Sequence, residues 1–266
     1  MTCIPGRVAF LALALTALPL ASAAAKPVTL TYLGYLAGFP VLQMTAQADL
    51  PVQAGGTVTD GVYGLNADIV TQGSLATLYP YRMAVSTNGR LAGAQAKPTQ
   101  FHSEGQIMSK TESVTLTYKT DGKVGINAVA MTRQAQDAAA KGTANGTIDP
   151  ASLVLAVIAN YAQKDTCTAR YKLFDGVRRY DLNVTEVGNG NVQMYKRSYY
   201  QGPATACQAV PRLIQGFPQM AVESKLYPES AKIWIANAVP GMPAVPVRIY
   251  TQNALGEMVF DLIGVQ

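Results

Sequence analysis

Asp149-Pro-Ala-Ser-Leu-Val-Leu-Ala-Val-Ile-Ala-Asn-Tyr-Ala-Gln163 is the stretch that decides the fold. Asp149 is a good helix N-cap, because its carboxylate accepts from backbone N–H groups that have no partner inside the helix. Pro150 fits the first helical turn, where its missing N–H costs nothing. Apolar residues follow at consecutive positions from Leu153 to Ala159. A helix of that kind is apolar on every side, so it belongs inside the protein. It is too short to span a bilayer. A buried strand is the alternative, since Val and Ile are frequent. The length and the cap favour a helix over about 150–163.

The chain around it reads differently. Across residues 41–50, Leu42, Met44, Ala46, Ala48 and Leu50 share one face, and Gln43, Thr45, Gln47 and Asp49 take the other. Val114, Leu116 and Tyr118 alternate with polar residues, as do Tyr180, Leu182 and Val184, and Met258, Phe260 and Leu262 repeat the pattern. Period two is the mark of half-buried antiparallel strands. Turn signals fall at Gly38-Phe39-Pro40, Gly55-Gly56, Asn88-Gly89, Asp121-Gly122, Asp175-Gly176 and Gly188-Asn189-Gly190. The pattern amounts to roughly eleven or twelve strands. We therefore expect a mainly β protein, a strongly curved antiparallel sheet or half-barrel wrapped around one buried helix. Residues 135–146, rich in Ala, read as a loop or frayed helix leading into it.

The 266 residues are 49% hydrophobic and 14% charged, which excludes a disordered chain. Residues 1–25 have the form of a signal peptide: Arg7, an apolar run over 8–20, then Ala21-Ser22-Ala23 and Ala24-Ala25. An uncleaved anchor is the rival reading. Cys3 lies upstream of the apolar run and is not placed for acylation. The expected mature chain is one β-rich domain, 26–266, exported to the periplasm. It retains Cys167 and Cys207, which in an oxidising compartment usually pair. A redox pair is the alternative, although no Cys-x-x-Cys motif is present.

Several pieces in order carry a resemblance. They are Val28-Thr-Leu-Thr-Tyr-Leu-Gly-Tyr35, the capped helix, Phe174-Asp-Gly-Val-Arg-Arg-Tyr-Asp-Leu182 between the two Cys, Pro246-Val-Arg-Ile-Tyr250 and Leu255-Gly-Glu-Met-Val-Phe260. Together they resemble a large proteobacterial family of exported proteins, domain of unknown function 3108. The resemblance implies a fold similar to periplasmic lipoprotein carriers, in which a curved sheet closes on a helix around an apolar cavity. It implies no activity and no catalytic residues.

The residues themselves do not disclose a reaction. His102 is the only His, and alone it makes a poor metal site. Acidic residues are scattered with no spacing that marks a catalytic pair. Tyr195, Arg197, Tyr199 and Tyr200 read as an aromatic and basic strand, without nucleic acid as a partner for an exported protein. The net charge of +5 suits weak attraction to anionic envelope surfaces. Arg178 and Arg179 beside the Asp175-Gly176 turn are the densest charge. On the Tyr180 face Arg178 points inward and needs a partner: Asp149, Asp175 or a ligand headgroup. Arg179 points away. The turn with solvated strand ends is the plainer reading.

The expected function is non-enzymatic binding or carriage of an apolar ligand, a lipid or acyl chain, with no metal, cofactor or catalytic residue. The candidate lining is Leu42, Met44, Leu116, Tyr118, Leu155, Ile158, Tyr180 and Leu182, with Arg178 at the polar end. The alternative is an envelope scaffold that binds a partner protein through a sheet edge.

Overall fold

The computed structural model describes residues 27–53, 55–108, 110–129, 137 and 142–266. The segment 1–25 read as a signal peptide, Cys3, and residues 135, 136 and 138–141 of the Ala-rich stretch lie outside the described residues.

Thirteen strands form one antiparallel sheet. Its first half contains β1 (Val28–Leu36), β2 (Phe39–Asp49), β5 (Gly61–Thr71), β6 (Tyr81–Ala92), β7 (Gln95–Ile107), β8 (Lys110–Tyr118) and β9 (Val124–Val129). Its second half contains β10 (Ala169–Phe174), β11 (Arg179–Val192), β12 (Gly202–Gln215), β13 (Ala231–Ala236), β14 (Val245–Asn253) and β15 (Gly256–Val265). The spatial order runs β10 to β15, then β1, β2 and β5 to β9, so the last strand pairs with the first. Two short strands, β3 (Val52–Gln53) and β4 (Thr57–Val58), make a separate hairpin. The described residues thus hold fifteen strands, more than the eleven or twelve that alternation suggests. The excess comes from the two-residue pair, too short to show a period, and from runs where both faces are covered.

The sheet does not close, and β9 and β10 are its ends. Between them runs the segment leading to the helix. Gly146 N–H donates to the Gly122 carbonyl at 3.1 Å, and Val124 N–H donates to Asn145 Oδ1 at 3.1 Å. On the other side Ile148 makes a parallel bridge with Leu173 of β10. The β10–β11 turn rests on β8 across the gap: a Cβ on Gly176 would stand 2.3 Å from Val114 Cγ1. Only glycine permits that approach, and its φ of +100° also favours glycine.

Inside the curve lies a helix over Pro150–Lys164, which we call α2; α1 (Gly73–Leu78) and α3 (Gln219–Glu223) are short surface turns of helix. Asp149 caps α2 from an extended backbone conformation, and Pro150 stands at its start, as the cap signature requires. Leu155, Ala156, Ile158 and Ala159 are buried against Tyr63, Leu116, Phe174 and Leu262, from both halves of the sheet. Full burial of a side chain such as Leu155 stabilises the fold by about 1.5–3 kcal/mol. The enclosure is not complete on every side, because Val154 is exposed and Leu153 half-buried. Cys167 and Cys207 form the disulfide, with Cα atoms 6.3 Å apart. It lies fully buried with Val157, Val184 and Ile235 in a second cluster.

Two turn signals are not turns. Asn88-Gly89 lies within β6 at a register shift against β7. A Cβ on Gly89 would meet the Lys97 carbonyl at 2.4 Å and the Tyr63 hydroxyl at 2.7 Å, so glycine is needed for close approach. Gly188-Asn189-Gly190 likewise sits inside β11, beside a bulge. Nor is 193–201 a strand. It is an irregular connection whose Tyr195 packs edge-on against Tyr35 with ring centroids 5.3 Å apart.

Candidate functional site

The helix N-terminus is held by a buried polar network. Asp149 accepts the Ser152 backbone N–H at Oδ1 and the Ser152 hydroxyl at Oδ2, each at 2.7 Å. Thr87 Oγ1 lies 3.2 Å from the same Oδ2, and the Tyr118 hydroxyl donates to it at 3.4 Å. Tyr63 shares a 2.8 Å hydrogen bond with the Ser152 hydroxyl. Asp149 and Ser152 are completely buried, and among the described residues no cation pairs with Asp149. Burial pushes its carboxyl above the ordinary carboxylate range, and the hydrogen bonds from Ser152 and Thr87 offset this only in part. Burial also raises the Tyr63 and Tyr118 hydroxyls, so both stay protonated donors. This set joins α2 to β5, β6 and β8.

Above that network the sheet parts. A groove of about 890 Å³ lies between the inner faces of β6–β8 and those of β11–β13, with Pro150 on its floor. Its volume is in the range of small-molecule sites. The first wall rises in rungs. Leu116 and Phe101 pair and are buried. One rung up, Val114, Ser103 and Val85 face the groove. Next come Glu112, Gly105 and Met83, and Lys110 and Tyr81 stand at the mouth. A Cβ on Gly105 would meet nothing within 4 Å, so this strand glycine leaves open space. The second wall carries Tyr180, Leu182, Ala209, Leu213 and Ile233, and Phe217 and Tyr227 lie toward one side. Phe217 packs edge-on against both Tyr180 and Tyr227. Burial pushes the Tyr180 hydroxyl up to about 12, so Tyr180 is neutral at any physiological pH.

Arg178 belongs to this groove. Its Nε donates to Asp175 Oδ2 at 2.8 Å, while Asp175 Oδ1 accepts the backbone N–H groups of Val177 and Arg178 at 2.9 and 2.6 Å. Of the three partners expected for Arg178, the structure shows Asp175. Arg179 corrects the expectation: it is buried rather than turned to water. Its Nη1 lies 2.6 Å from Asp181 Oδ1, and Arg212 meets the other oxygen of Asp181 at 2.6 Å. The pairing slips by one residue between Arg179 and Tyr180 against β12, a bulge that simple alternation does not register.

Of the nine lining candidates, Arg178, Tyr180 and Leu182 line the groove. Leu116, Leu155 and Ile158 are packed in the core, and Tyr118 belongs to the Asp149 network. Leu42 and Met44 are half-buried on β2, and Met44 packs against the core. The readings from sequence missed Met83, Gly105, Glu112 and Tyr227. The available signal was a glycine inside the alternating strand 95–107, and Lys110 and Glu112 in phase with Val114. His102 is half-buried on β7, its Nδ1 3.0 Å from Thr115 Oγ1.

A third cluster lies on the sheet face opposite α2. Asp261 is buried, and Arg248 meets it through Nε and Nη2 at 2.7 and 3.0 Å. Ser198, from the β11–β12 connection, hydrogen-bonds to Asp261, and Arg248 Nη2 donates to Ser198 at 3.0 Å. Buried Leu33, Tyr35 and Val259 share that face. Phe260 and Leu262 therefore do not form the only inward face of β15. The arrangement clamps the connection to the sheet.

An open antiparallel sheet coiled around a single helix, with an apolar groove at one end, defines a barrel-like β protein. The chain matches the family described as "Protein of unknown function (DUF3108)" over residues 29–263 and belongs to it. Among solved structures it is similar to a beta-barrel-like protein of domain of unknown function DUF1849 from Brucella abortus. The TM-score is 0.53 at 11% identity, covering 90% of this chain and 97% of that one. A second structure, of a protein described as a lipoprotein from Parabacteroides distasonis, aligns over 91% of this chain and 96% of that one, with 10% identity and a TM-score of 0.37. No curated protein matches the chain. None of the described helices is long and apolar enough to cross a membrane.

Proposed function

We propose that this is a non-enzymatic, exported envelope protein that shelters an apolar ligand, a lipid or acyl chain, in the groove between β6–β8 and β11–β13. The observation that carries this reading is an open, largely apolar groove of about 890 Å³ above the buried core around Leu116 and Leu155. Barrels of about eight strands either fill their interior with side chains or hold one small ligand. Here Gly105, Ala209 and Ala231 leave the space unfilled. Such a groove, mostly apolar with a few polar groups at its mouth, suits an amphiphile better than a polar metabolite. The Cys167–Cys207 disulfide fits an oxidising compartment such as the periplasm.

Native mass spectrometry of the protein purified from its own host tests the reading. The expected result is a bound lipid that Leu182→Trp and Gly105→Leu both displace. Repeated recovery of lipid-free protein under conditions that preserve other lipid complexes overturns it.

A further inference from the structure

The mouth of the groove carries both signs of charge, and only some of it is used within the protein. Asp175 is occupied by the turn it caps and by Arg178 Nε, so the guanidinium is fixed on that side, and the rest of it faces Tyr227 and the groove. Glu112 and Lys110 stand two residues apart on the groove face of β8, and neither has an ion-pair partner among the described residues. Glu112, Arg178 and Tyr81 line the same groove, and the β10–β11 turn that carries Arg178 rests on Val114, two residues from Glu112 on β8. Beside Glu112 is the open space over Gly105. Taken together, Lys110, Glu112, Asp175 and Arg178 sum to zero formal charge. A purely anionic headgroup would leave Glu112 facing it, at a cost in like-charge contact. A headgroup with an anion and an amine a few ångströms apart would meet both.

We propose that the groove selects a zwitterionic amphiphile of the phosphoethanolamine class: the phosphate on the Arg178 guanidinium, the ammonium on Glu112, and the acyl chain along Val85, Leu182 and Ile233. This rests on the groove being a lipid site. Guanidinium binds phosphate bidentately, and a carboxylate accepts from an ammonium by a charge-assisted hydrogen bond.

The test uses delipidated mature protein and two lysolipids of identical acyl chain, one with a phosphoethanolamine and one with a phosphoglycerol headgroup, titrated calorimetrically below their micelle concentrations. The wild type should bind the ethanolamine lipid about tenfold more tightly, the effect of one charge-assisted contact. Glu112→Gln should abolish that preference and leave the glycerol lipid bound as before. Arg178→Gln should weaken both about tenfold or more. Free phosphoethanolamine, without a chain, should not bind measurably. Equal affinity for the two lysolipids, or a preference that survives Glu112→Gln, overturns the headgroup assignment and leaves the lipid groove standing. Binding of neither lysolipid overturns the groove reading as well. Binding of free phosphoethanolamine as tight as the lysolipid makes the site one for a soluble polar compound and overturns both. Glu112 and Arg178 are exposed enough that neither variant should shift the melting temperature by more than about 2 °C.

Discussion

Ser152 gives both its backbone N–H and its hydroxyl to Asp149, one to each carboxylate oxygen, at 2.7 Å. Through this pair the sequence that starts the helix is also the contact that fastens it to the sheet. Thr87 and Tyr118 reach the same carboxylate from two strands of the wall, and Tyr63 reaches Ser152 from a third.

A buried carboxylate without a cation predicts an unusual pH dependence. Burial raises the folded-state pKa of Asp149 above its ordinary 3.8. Between those two values the folded chain binds more protons than the unfolded one, so stability falls as pH rises through the window. Above the folded-state pKa the full cost of the buried charge is present. Urea denaturation between pH 4 and 8 should show this decline in the wild type and a flatter profile in Asp149→Asn, which keeps an oxygen to cap the helix. Asp149→Ala orphans buried donors and should cost about 1–3 kcal/mol near pH 4, a cost that shrinks as pH rises because the variant lacks the buried charge. An identical slope in wild type and Asp149→Asn would show that the carboxyl is ordinary.

The disulfide spans 40 residues, from the segment after α2 to β12. Loss of that constraint on the unfolded chain should reduce stability by about 3–4 kcal/mol in Cys167→Ser/Cys207→Ser. The same double variant should retain its sheet signal by circular dichroism, because the clusters around Leu155 and Leu116 do not depend on the bridge. Thiol titration of the denatured, unreduced protein should find neither Cys167 nor Cys207 free.

Core and groove positions should separate cleanly. Leu155 is fully buried in the core, and Leu155→Ala should cost about 2–5 kcal/mol. Gly105→Leu fills open space on a strand, so it should leave stability unchanged or raise it by about 0.5–1 kcal/mol while removing ligand. Paired denaturation curves and lipid occupancy measure this. If Gly105→Leu unfolds the protein, the space over Gly105 is not open in solution.

The Arg248–Asp261 pair predicts an asymmetry between breaking and replacing. Asp261→Ala leaves a nearly buried guanidinium without its partner and should cost about 3–5 kcal/mol. Arg248→Met/Asp261→Leu should recover much of that loss. Ser198→Ala, which removes one hydroxyl from the clamp, should cost about 1 kcal/mol. Equal losses in the single and double charge variants would mean that the clamp depends on the charges themselves.

What the sequence by itself determined was local. The Asp149-Pro150 cap and the apolar run mark α2, because capping and periodicity act over a few residues. Cys167 and Cys207, the two Cys beyond residue 25, point to one bridge, and alternation at 41–50 and 113–119 marks β2 and β8. The tertiary structure decided everything that depends on how far thirteen strands curl. Leu116 and Val114 are two residues apart on one face of β8, yet one is packed and the other lines a void. Leu116 meets the core around α2, whereas the wall facing Val114 is built by β11 to β13, more than sixty positions away. The same holds for Arg179, buried because a bulge and Asp181 receive it, and for Asp261, buried because a connection from 195–199 folds over it. A period of two assigns a side chain to a face; only the long-range partners settle whether that face meets protein, water or a space the size of a ligand.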